Sequence, residues 1–163
     1  MRDSDRVLLC GGLLAGAAAL LHLAIIVGGP GWYRFFGASE RMARLAERGS
    51  AIPAMMTAGI ALLLGLSALY AVSAAGVIIP LPLLRPILAL ISLVYLTRAV
   101  GGVPAALFVD TPYMQMLKGR MTFMLISSAL CLAMGLCYAV GTVALWQRNS
   151  SAAHPVARSG ASQ

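Results

Sequence analysis

The sequence predicts an all-α membrane protein: a bundle of four transmembrane helices with a short interfacial amphipathic helix between helices 1 and 2. Three observations carry that prediction. Hydrophobic residues make up 60% of the 163 and charged residues only 10%, whereas soluble domains are about half apolar and a quarter charged. The apolar residues gather into runs close to the roughly 20 residues that cross a ~30 Å hydrocarbon core. Prolines and arginines punctuate those runs at their ends.

The first run, "VLLCGGLLAGAAALLHLAIIVG", covers residues 7–28. A cleaved secretory signal is the competing reading, since Arg2 and Arg6 precede it. The run is longer than the 7–15 residues of a signal core and its leader carries Asp3 and Asp5, so a retained helix is expected. The second run, residues 52–79, opens with Pro53 in a first turn that does not need its N–H. It ends at "PLPLLRP", whose prolines cannot continue a helix. A third span is expected over 86–102, closed by Gly101, Gly102 and Pro104, and a fourth over 121–146, anchored by Trp146. Residues 1–146 form one four-helix domain on this reading, and the polar, small-residue-rich segment 147–163 is a disordered tail.

Between the first two spans lies "GGPGWYRFFGASERMARLAERGSA". Trp32, Tyr33, Phe35 and Phe36 fit an aromatic belt where the chain leaves the bilayer. Ser39 fits an N-cap and Gly49 a C′ position around "ERMARLAER". On a 3.6-residue period Met42, Leu45 and Ala46 share a face, which predicts a helix over 40–48 lying at the interface.

The net charge of +7 does not indicate a nucleic-acid partner, because the basic residues are spread over ends and connections instead of one face. Four spans put both termini on one side. That side carries Arg2, Arg6, Arg85, Arg148 and Arg158 against Arg34, Arg41, Arg44, Arg48, Lys118 and Arg120 on the other, which leaves the positive-inside rule undecided. Cytoplasmic termini in a bacterial inner membrane are the expectation adopted. Cys10, Cys131 and Cys137 lie in apolar runs without a C-x-x-C pair. They read as small hydrophobes, and no metal site or cofactor is expected.

Candidate functional residues centre on Arg98, a charge inside a span. Such a charge costs about 2.5–3.5 kcal/mol near the bilayer centre on insertion scales. With the helix broken at Gly101–Pro104, Arg98 would reach the interface and pair with Glu40, Glu47 or Asp110. His22 reads as a neutral histidine bonded between helices, or as part of a polar pocket with Tyr95 and Arg98. Ser127, Ser128 and Tyr138 are further candidates for that pocket, which would hold an anionic or carbonyl-bearing lipophilic ligand. Gly12 and Gly16 form a G-x-x-x-G that fits close packing within the bundle, with homodimerisation as the lesser reading.

A first helix with a late histidine, the aromatic exit "GWYRFFGA", a basic amphipathic connector, a helical hairpin and a fourth span together resemble the small bacterial four-helix membrane proteins of the DoxX-like type. The resemblance covers residues 7–146 in outline. It implies a four-helix bundle and transfers no catalytic residue. The expected function is a non-enzymatic accessory subunit or a binder of a lipophilic small molecule, with membrane lipids and other membrane subunits as partners. A small transporter or channel would carry an acid within a span, and an intramembrane enzyme acting on a lipid or quinone would cluster His, Glu, Asp or paired cysteines. None of the five acids lies in a predicted span.

Overall fold

The computed structural model describes residues 2–108 and 121–152. The chain forms α1 (Asp3–Phe35), α2 (Glu40–Glu47), α3 (Ile52–Ala74), α4 (Leu84–Phe108) and α5 (Met121–Ala152). Apart from α2, each is long and apolar enough to cross a membrane. The protein is a multi-pass bundle with one short helix between its first two spans.

α1 starts earlier than the apolar run because Asp3 and Asp5 complement the positive end of the helix dipole. Asp5 Oδ2 also accepts the Arg2 backbone N–H at 3.1 Å. The predicted end at residue 28 coincides with a kink instead of a stop. Gly29 takes φ 68°, ψ −156°, a conformation that glycine adopts without a Cβ penalty. Pro30 then opens a second helical piece, where its missing N–H is no loss, and the helix resumes to Phe35.

α3 stops at Ala74, five residues short of the predicted 79. Gly76 adopts φ 77°, and the Val77 N–H reaches back to the Val72 carbonyl at 3.2 Å. This is a Schellman closure. The Ser73 hydroxyl then holds the following strip of chain, donating to the Ile79 carbonyl and accepting the Leu81 N–H, each at 2.9 Å.

The expectation that α4 breaks at Gly101, Gly102 and Pro104 is corrected: the helix runs through all three to Phe108. Within a bilayer a break would leave backbone groups without partners, so an interior proline that loses a single hydrogen bond is the smaller penalty. α5 likewise passes residue 146 and continues to Ala152, so the start of the expected tail is helical; 153–163 lie outside the described residues.

Helix registers follow from the closest approaches. A Cβ on Gly12 would lie 2.8 Å from Ala71 Cβ, and Gly16 faces Ala68, so α1 and α3 pack antiparallel through small residues. Leu8 packs on Gly141 and Gly11 on Cys137, and Leu96 packs on Gly135, so α5 runs antiparallel to both α1 and α4. α3 and α4 touch only sparsely, and α1 does not pack on α4. The main core, with Leu8, Ala15, Ala71, Leu88, Tyr95, Met134 and Tyr138, fills the half of the bundle nearer the termini. A second cluster of Ile25, Tyr33 and Ala43 fastens α2 to the far end of α1. Large apolar side chains such as Leu13, Leu20, Leu62, Leu93 and Val140 point outward, as a lipid-facing surface requires.

α2 spans the predicted segment with Ser39 as its N-cap, whose Oγ accepts the Met42 N–H at 3.3 Å. Its inner face is centred on Ala43, which is fully buried, with Ala46 half-buried beside it. Of the predicted apolar stripe, Met42 flanks that face and half-buried Leu45 turns to the opposite side, with Arg41 and Arg48.

Candidate functional site

The polar residues of the spans separate into two groups. The first is sealed inside the bundle. Tyr138 on α5 is fully buried, and its hydroxyl donates to the Ser67 carbonyl of α3 at 2.7 Å. Its ring packs on that of Tyr95 from α4, with centroids 5.7 Å apart and planes at 47°. The buried Tyr95 hydroxyl lies beside the Ser67 side chain but makes no hydrogen bond of good geometry. Ser92 Oγ donates to the Gly135 carbonyl at 3.0 Å, joining α4 to α5, and Thr142 Oγ1 donates to the Tyr138 carbonyl at 2.7 Å. The Tyr138 and Ser92 bonds tie α3, α4 and α5 together, while the Thr142 bond lies within α5.

Arg98 belongs to the second group, on the flank of α4. Its side chain is exposed, and Nη1 lies against the Cα of Gly102, in the notch left by the missing side chain. Ser128 Oγ of α5 faces the same notch, 3.1 Å from where a Gly102 Cβ would sit. That hydroxyl is buried and has no hydrogen-bond partner among the described residues. Cys131, one turn further along α5, lies within electrostatic reach of the Arg98 guanidinium. Leu96 packs against Gly135 and Gly102 faces Ser128, while Gly11 packs against Cys137. Along these antiparallel registers Arg98 is about level with Gly16, near the middle of the apolar run 7–28. It therefore lies inside α4, which continues past Gly101–Pro104 to Phe108, and not at a helix end.

The other predicted site residues fall elsewhere. His22 is half-buried on α1 with Nδ1 2.7 Å from the Ala18 carbonyl. A carbonyl can only accept, so Nδ1 carries the proton and Nε2 is left as an acceptor in the neutral ring. α1 and α4 do not pack on each other, and no hydrogen bond joins His22 to Tyr95 or Arg98. Ser127 Oγ donates to the Met124 carbonyl of its own helix at 3.0 Å. Ser67, Ser92 and Gly102 were not singled out from the sequence. The serines carry a faint signal as isolated hydroxyls in apolar runs, and in the sequence Gly102 signals only a helix break.

The acids named as partners for Arg98 have other engagements. Arg34, at the end of α1, bonds Glu40 through Nη2 at 3.0 Å and Nε at 3.1 Å, and Glu47 through Nη1 at 2.6 Å. Arg44 Nε adds a bond to Glu40 at 3.3 Å. The Arg34 guanidinium, with Arg44 second, holds the Glu40 carboxyl down at about 2, and Arg34 also holds Glu47 below the usual carboxylate range. Asp110 lies outside the described residues. No ion pair among the described residues includes Arg98, and among them no three His, Cys, Asp or Glu side chains are grouped to share a metal ion.

A guanidinium presents five N–H donors in a planar fork that matches a carboxylate or phosphate. The Arg98 guanidinium, exposed on the flank of α4, can meet an oxygen-bearing head group while the exposed apolar side chains of the same helix take its chain. Comparison with family models, curated proteins and solved structures finds no match.

Proposed function

We propose that this chain is a non-enzymatic membrane protein that binds an anionic or carbonyl-bearing lipophilic molecule at Arg98. The observation that carries the reading is the guanidinium seated over Gly102 inside a membrane-spanning helix, next to a Ser128 hydroxyl that has no hydrogen-bond partner among the described residues. A charge at that depth is expensive unless it is paired, and an amphiphile entering from lipid supplies both the counter-charge and an apolar tail. The aromatic exit "GWYRFFGA" and the amphipathic connector support a place among the DoxX-like four-helix proteins of the bacterial inner membrane. The basic N-terminus supports cytoplasmic termini.

Binding of a fluorescent long-chain fatty acid to the purified protein tests the reading. The acid binds the wild type and its methyl ester binds less tightly. Arg98→Gln lowers affinity for the acid by about tenfold or more, as expected for a lost charge-assisted pair worth about 1.5–3 kcal/mol, and leaves the ester little changed. Equal binding of the acid by wild type and Arg98→Gln overturns the proposal.

A further inference from the structure

The face of α2 that carries Leu45, away from Ala43, is left open. The outer side of α2 borders a recess of about 540 Å³ lined by Glu40, Arg41, Arg44, Leu45 and Arg48. That volume is within the range of small-molecule sites, roughly 300–1,000 Å³. Arg41, Arg44, Leu45 and Arg48 are spaced i, i+3, i+4, i+7 and so share one face of the helix. Glu40 and Glu47 are held by Arg34, with Arg44 also on Glu40. Arg41 and Arg48 are exposed and take part in no ion pair among the described residues. Ala43 and its neighbours press α2 onto the end of α1, a membrane-spanning helix, which puts the arginine face at head-group level.

We infer that this recess is a binding site for the head group of an anionic phospholipid. Three features of the recess select that occupant. Two uncompensated guanidinium groups supply planar donors for a phosphodiester. Half-buried Leu45, between them, offers an apolar contact that a glycerol backbone uses and a free phosphate does not. Membership of the interface gives the recess access to lipid at the concentration of the bilayer itself. The glutamates fixed by Arg34 shape the site's edge: they stabilise the helix against α1 without cancelling the charge of Arg41 and Arg48.

Native mass spectrometry of the full chain released from detergent micelles, with added phosphatidylglycerol or phosphatidylcholine, tests the site. The wild type should retain phosphatidylglycerol preferentially. At about 1 kcal/mol per arginine near a lipid surface, Arg41→Gln with Arg48→Gln should lower that preference about thirtyfold. Arg98→Gln should leave it intact, separating this site from the one on α4. Excess glycerol phosphate should not displace the lipid. Should the double variant fail to fold by circular dichroism, the wild type alone decides, because its preference must weaken as salt rises. Equal retention of the two lipids, an unchanged preference in the double variant, loss in Arg98→Gln, or displacement by glycerol phosphate each overturns the assignment.

Discussion

Replacing Gly12 with alanine should loosen the bundle where replacing Gly16 does not, although both belong to one G-x-x-x-G. A Cβ at Gly12 would lie 2.8 Å from Ala71 Cβ and 3.4 Å from the Ala68 carbonyl oxygen, whereas one at Gly16 would lie 3.8 Å from Ala68 Cβ. Carbon atoms rest at about 3.5–4.0 Å. Gly12→Ala therefore forces α1 and α3 apart by roughly 1 Å, because both methyl carbons are fixed to helix backbone and neither can rotate away. Gly16→Ala makes an ordinary contact. Both variants gain the same helix propensity, up to about 1 kcal/mol, so the difference between them isolates the packing cost. Overpacking of this kind costs about 1–3 kcal/mol. Steric-trapping unfolding in micelles should place Gly12→Ala that far below Gly16→Ala, with the latter equal to or slightly above wild type. Variants equal within about 0.5 kcal/mol would refute the assigned register of α1 on α3.

Tyr138→Phe removes the hydroxyl that bonds the Ser67 carbonyl at 2.7 Å. Interhelical bonds in membranes are worth about 0.6 kcal/mol, at most about 1.7, so a loss of about 0.5–1.5 kcal/mol is expected in the same unfolding assay, with the fold retained by circular dichroism. Acidification should loosen α2 without detaching it, because Ala43 still packs on α1 when the Arg34–Glu40 pair is lost. Glu40 falls from its ordinary 4.5 to about 2 in the folded protein, so its contribution is complete above pH 4.5 and is lost as pH drops toward 2. A spin label at Met42 should gain mobility across that window in the wild type and show no such step in Arg34→Gln.

The four spans and the connector were legible because run length and proline punctuation report directly on burial in lipid. Helix ends were less so. Gly29 lies where the first run ends, but composition does not distinguish a kink from a stop, and Pro30 suits either. Gly76 carried a readable C′ signal in "SAAGV", yet the apolar Val77, Ile78 and Ile79 outweighed it. Gly101, Gly102 and Pro104 would end a helix in water, where freed backbone groups find solvent; the bilayer removes that alternative, and α4 continues. This changes the meaning of Arg98, whose depth depends on whether the helix ends beyond it. Arg98 and Ser128 both stand out in the sequence as polar residues in apolar runs. Their meeting at Gly102 was not legible, since it depends on the register of α4 against α5. Ala43 shows a similar limit: counting apolar residues favours large side chains, whereas close helix contact selects a small one.

Solid-state NMR dipolar recoupling between the ¹⁵N-labelled guanidinium of Arg98 and a ¹³C-carboxyl fatty acid, in bilayers, reads the proposed contact itself. A charge-assisted pair with N···O of about 2.8 Å predicts strong dephasing of the carboxyl signal in the wild type. The dephasing should disappear when Gly102→Val fills the notch that seats Nη1. A fatty acid that remains bound to the wild type with no dephasing from Arg98 would contradict the assignment of Arg98 as the residue that holds it.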